Sequence, residues 1–78
     1  MTYQANAALI DSKWSDKDEA ICESLTVKVQ REFGGIDIPD LIKCEAAENA
    51  ISTCDGDLDQ YHDIYYSSLS QLVEDKLL

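Results

Sequence analysis

Residues Ser15–Gly34 read SDKDEAICESLTVKVQREFG, and this stretch decides the fold. Ile21, Leu25, Val29 and Phe33 recur every four residues, the spacing that lines one face of an α-helix. Ser15 stands where an N-cap belongs, and Asp16, Asp18 and Glu19 lie against the positive end of the helix dipole. Lys28 and Arg31 fall toward the other end, and Gly34 supplies a left-handed stop. The spacing predicts a helix over 16–33.

Working outward, the remaining punctuation is sparse: Gly35, Pro39 and the Asp55-Gly56 pair. Pro39 favours a first helical turn, and Leu41, Cys44, Ala47, Ile51 and Cys54 then form a stripe, flanked by Ala46 and Ala50. These small residues point to close approach by a neighbouring helix. Asp57-x-x-Gln60 has the form of a capping box. Beyond it, Leu58, Tyr61, Tyr65, Leu69, Leu72, Val73 and Leu77 mark a broad apolar face. Upstream, Tyr3, Ala7, Ile10 and Trp14 keep helical spacing. Between the helices, Ile36 and Ile38 read as anchors of a connector. The expected fold is all-α: a single domain over 1–78, a bundle of three to four antiparallel helices at about 3–11, 16–33, 39–54 and 58–77.

The 78 residues allow one small core and no separate cofactor cavity. Sixteen acids against six bases give a net charge of −10. That balance opposes direct binding to nucleic-acid phosphate and to anionic membranes. No signal-peptide pattern or apolar stretch of spanning length is visible. Cys22, Cys44 and Cys54 are odd in number, without a Cys-x-x-Cys pair, and read as reduced core thiols of a cytoplasmic protein. No disulfide is expected, and a homodimer is expected to cover the C-terminal stripes Leu69-Val73-Leu77 and Leu72 with Leu78.

No catalytic motif emerges. Asp55, Asp57 and Asp59 alternate around Gly56, but Gln60 and Tyr66 stand where a calcium loop needs glycine and glutamate. His62, the only histidine, reads as an exposed helical residue beside acids, with Cys54 too far away to pair with it. Carboxylate pairs such as Asp59 with Asp63 fall on polar helix sides, not in a cleft. The expectation is a binding protein with no enzymatic activity, no cofactor and no metal.

The distribution of charge carries the functional reading. From Cys44 through Asp75 there are eight acids and no lysine or arginine. Carboxylates three or four positions apart on a helix stand about 5–6 Å apart, a spacing similar to that of phosphates along a nucleic-acid strand. The expected partner-binding residues are Glu45, Glu48, Asp55, Asp57, Asp59 and Asp63. Tyr66 joins them as an aromatic contact off the core stripe. The expected partner is a protein or ribonucleoprotein complex with a basic surface. In size, acidity and lack of a catalytic motif the chain resembles small phage-encoded inhibitors, including DNA mimics and anti-CRISPR proteins. That resemblance is compositional, covers the whole chain, and implies an inhibitor acting in the host cytoplasm. The alternative is a helical adaptor that binds a protein through an apolar face such as Leu69, Val73 and Leu77.

Overall fold

The computed structural model describes residues 10–78. Three helices dominate: α1 over Asp16–Glu32, α2 over Asp40–Thr53 and α3 over Leu58–Lys76. A helical stretch at 10–13 precedes them, and no strand occurs among the described residues. Of the expected helix at 3–11, only Ile10 and Asp11 are described; the rest of that expectation lies outside the described residues.

Each boundary has a local cause. The Asp18 carboxylate accepts hydrogen bonds from the Ser15 N–H at 3.0 Å and its hydroxyl at 2.8 Å, fixing the start of α1. At its end, Gly35 N–H donates to the Gln30 carbonyl and Gly34 N–H to that of Arg31, the paired closure of a Schellman turn. Both glycines hold φ near +80°, where a side chain is strained. Asp57 caps α3, accepting from the N–H groups of Asp59 and Gln60.

Contacts fix the directions. Glu45, early in α2, meets Lys76 at the end of α3, while residues 54–57 join the opposite ends. α2 and α3 are therefore antiparallel. Asp18 and Cys22 meet His62, Thr26 meets Tyr65, and Glu32 meets Tyr66. Residue numbers rise together in those contacts, so α1 runs the same way as α3.

The core is centred on α3, whose Tyr61, Tyr65, Leu69 and Val73 are buried against Ile42, Ala46, Ala50 and Cys54 of the α2 side. Ile10, Val29 and Ile38 close it, so the connector is anchored as its isoleucines indicate. The register of α2 differs from the sequence expectation. Its buried row is Ile42-Ala46-Ala50, while Leu41 is 77% exposed and Cys44 is exposed. The two alanines let α2 approach the bulky Leu69 and Val73, and that packing outweighs burial of Leu41. Cys44 is consequently not a core thiol; only Cys54 is fully buried. In α1 the buried residues are Thr26 and Val29, with Leu25 and Phe33 only partly covered. Thr26 enters because its hydroxyl bonds Tyr65 at 2.8 Å and the Cys22 carbonyl at 2.9 Å. Leu69 and Val73 are fully buried within one chain, so neither is open to an adaptor's partner or to a second copy. Leu77 and Leu78 remain exposed at the end of that stripe.

Candidate functional site

Because α1 and α3 run the same way, both helices begin at one end of the bundle. The 54–57 loop lies at that end too. Lys13 Nζ donates to the Gly56 carbonyl at 3.1 Å, and the Trp14 ring packs edge-on to Tyr61 at 5.3 Å, laying segment 11–19 beside the loop and the first turns of α3. Among the described residues, the end gathers Asp11, Asp16, Asp18, Glu19, Asp55, Asp57, Asp59 and Asp63 with Lys13 and Lys17, a charge of −6 over those ten, and Lys43 of α2 shares a hollow with Glu19. All but Asp18 are exposed. Two positive helix starts account for part of this: Asp16, Asp18, Glu19, Asp57 and Asp59 cap or occupy first turns. Asp11, Asp55 and Asp63 have no such role. Asp55 moreover holds φ at 55°, a region aspartate enters more readily than most residues.

The structure divides the acids that the sequence reading groups together. Asp55, Asp57, Asp59 and Asp63 share the acidic pole. Glu45 does not: Lys76 Nζ donates to its carboxylate at 2.9 Å, so it is not without a base. Lys76 lies 17 residues beyond Asp59, which at about 1.5 Å per residue sets that pair roughly 25 Å away along α3. Glu48 is exposed on α2, one turn from Glu45. Tyr66 is engaged within the fold: its hydroxyl donates to Glu32, which raises its pKa, and Lys28 sits 5.0 Å from its ring centroid. In exchange, the acids at 11–19, absent from the sequence-predicted site, join the pole through topology.

A second constellation centres on His62, which is not an exposed histidine: its side chain is 13% exposed. Its Nε2 lies 3.1 Å from Asp18 Oδ1, and its Nδ1 lies 4.0 Å from Cys22 Sγ. Asp18 is held below the ordinary carboxylate range, chiefly by the Ser15 hydroxyl and further by His62. Burial pushes the Cys22 thiol up to about 11, with Glu19 and Asp18 adding to the rise. Cys22 faces a cleft between α1 and α2, floored by Tyr65 and continuing over Tyr61 toward Trp14 and Cys44. The Cys–His pairing the sequence reading weighed for Cys54 thus belongs to Cys22, 40 positions from His62. The one signal for it is that Cys22 shares a helical row with Thr26 and Val29.

Among the described residues no group of three or more His, Cys, Asp or Glu side chains is placed to hold a metal ion, and no helix is long and apolar enough to cross a membrane. Comparison with protein-family models, curated proteins and solved structures returned no match.

Proposed function

We propose that the protein binds, through its acidic pole, a basic surface of a partner protein or ribonucleoprotein complex that normally engages nucleic acid, and thereby inhibits it. The observation that carries this reading is the meeting of eight acids with two lysines at one end of the bundle. Three of them, Asp11, Asp55 and Asp63, cap no helix. A basic groove turns their mutual repulsion into attraction, and each close contact with an arginine contributes about 1.5–3 kcal/mol as a charge-assisted hydrogen bond. Asp59 and Asp63, one helical turn apart, stand about 5–6 Å from each other, which imitates successive phosphates.

The test is to capture partners on the immobilised protein and to compare Asp11→Asn/Asp55→Asn/Asp63→Asn with Glu45→Gln/Glu48→Gln. The first variant halves the local charge, from −6 to −3, without touching an N-cap or the His62 contact; asparagine also tolerates the backbone at 55. It is expected to bind at least about ten-fold more weakly, a loss of about 1.4 kcal/mol. The second variant, with Glu45 toward the other end of the bundle and Glu48 midway along α2, keeps parental binding. Equal binding by parent and pole variant contradicts the proposal. The adaptor reading then takes its place, resting on Leu41 and Leu78, which are 77% and 71% exposed at the opposite end.

A further inference from the structure

We propose that Cys22 is an acyl-accepting thiol, with His62 as its general base, and that it takes uncharged acyl groups from small thioesters seated in the cleft between α1 and α2.

The hydrogen-bond chain sets the proton inventory. Asp18 is ionised and accepts from Ser15 through Oδ2, so the imidazole Nε2 facing Oδ1 carries a hydrogen. A neutral ring with hydrogen on Nε2 presents its Nδ1 lone pair to the Cys22 thiol, 4.0 Å away. Nucleophile, base and orienting carboxylate thus stand in series. Asp18 is a positioning residue: it selects the tautomer and stabilises the imidazolium that forms. Burial keeps the resting thiol protonated, so attack requires His62 to take the proton as the new bond forms.

The cleft defines the substrate class. Two adjoining hollows of about 440 and 230 Å³ share Glu19, Cys22, Lys43 and Tyr65. The smaller is otherwise lined by Trp14, Cys44, Ala47 and Tyr61. These mostly apolar walls suit a short acyl chain, and the acids beside the sulfur disfavour an anionic one. Lys43, on the α2 wall, is the cation that lines both hollows; its exposed pairing with Asp40 at 3.6 Å would have to open for its ammonium to meet a carbonyl oxygen turning anionic. In the step, Cys22 Sγ bonds to the thioester carbonyl carbon while His62 Nδ1 takes the thiol proton. The bond from that carbon to the leaving sulfur breaks, and His62 returns the proton to the leaving thiol. One thioester replaces another, so no oxidant or further reactant is needed.

The probe is phenyl thioacetate, incubated at neutral pH with the full chain carrying Cys44→Ser, which removes the exposed thiol. Intact mass and peptide mapping follow acetyl transfer. The expected result is one acetyl group on Cys22, with the rate lowered roughly 100-fold by His62→Ala, the low end for a positioned base, and partly restored by added imidazole. Absence of acetyl on Cys22, or a His62→Ala rate equal to or above the parent's, overturns the proposal. A slowed rate that imidazole does not restore makes His62 structural and overturns it equally. None of these outcomes requires a partner at the acidic pole, and none changes Asp11, Asp55 or Asp63.

Discussion

The buried bond between Thr26 and Tyr65 ties α1 to α3, and its energetics are testable. Thr26 has one hydroxyl proton, which it gives to the Cys22 carbonyl at 2.9 Å, so Tyr65, only 5% exposed, donates to Thr26 at 2.8 Å. Thr26→Val keeps the shape but strands the buried phenol, at a cost of about 2 kcal/mol. Tyr65→Phe removes the donor and leaves Thr26 its bond to Cys22, costing about 1 kcal/mol. The double variant replaces both partners with apolar groups, so no stranded hydroxyl remains; its cost is about 1 kcal/mol, against about 3 for the sum of the singles. For a chain of this size 1 kcal/mol corresponds to about 4–8 °C in Tm, well resolved by thermal circular dichroism. The two single variants should therefore melt below the parent, and the double variant should melt above Thr26→Val. Additivity within about 0.5 kcal/mol refutes a coupled buried bond.

Four other outcomes follow from the same packing. Ala46→Leu should destabilise by about 1–3 kcal/mol in urea titrations, because Ala46 is fully buried where α2 meets α3. A disulfide reagent should modify Cys44 first, Cys22 more slowly and Cys54 only on unfolding, as read by peptide mapping. Asp18 titrates lower in the fold than its ordinary 3.8. Its contribution is therefore present above that value and lost as pH falls through the folded value, and Asp18→Asn should flatten the acid limb of a stability–pH curve. Asp63→Asn should raise stability by about 0.2–0.5 kcal/mol at low salt by relieving repulsion from Asp59, and the gain should vanish at high salt.

Where punctuation is strong and one face is plainly apolar, the sequence reading and the structure agree. The Ser15 start, the Gly34 stop and the row Tyr61-Tyr65-Leu69-Val73 are examples. In α2 they part, because apolar residues nearly encircle the helix: Leu41, Ile42, Cys44, Ala46, Ala47, Ala50 and Ile51 fit two registers. Periodicity does not choose between them; the need of Leu69 and Val73 for small neighbours does. The candidate site is less legible, since its assembly depends on chain direction. Thr26 looks like a polar interruption until Tyr65 stands opposite. Asp11 and Asp16 look unrelated to Asp55 and Asp63 until α1 and α3 begin side by side, and Glu45 looks unpaired until Lys76 returns to it.

Imitation of nucleic acid by the acidic pole, toward a basic partner, is the proposed basis of inhibition. Its most direct test is to load the captured complex on immobilised protein and challenge it with duplex DNA at constant salt. Release of the partner by the duplex, with little retained at the outset by Asp11→Asn/Asp55→Asn/Asp63→Asn, is the predicted result. A complex that duplex DNA leaves intact and that the variant captures as fully as the parent contradicts the account.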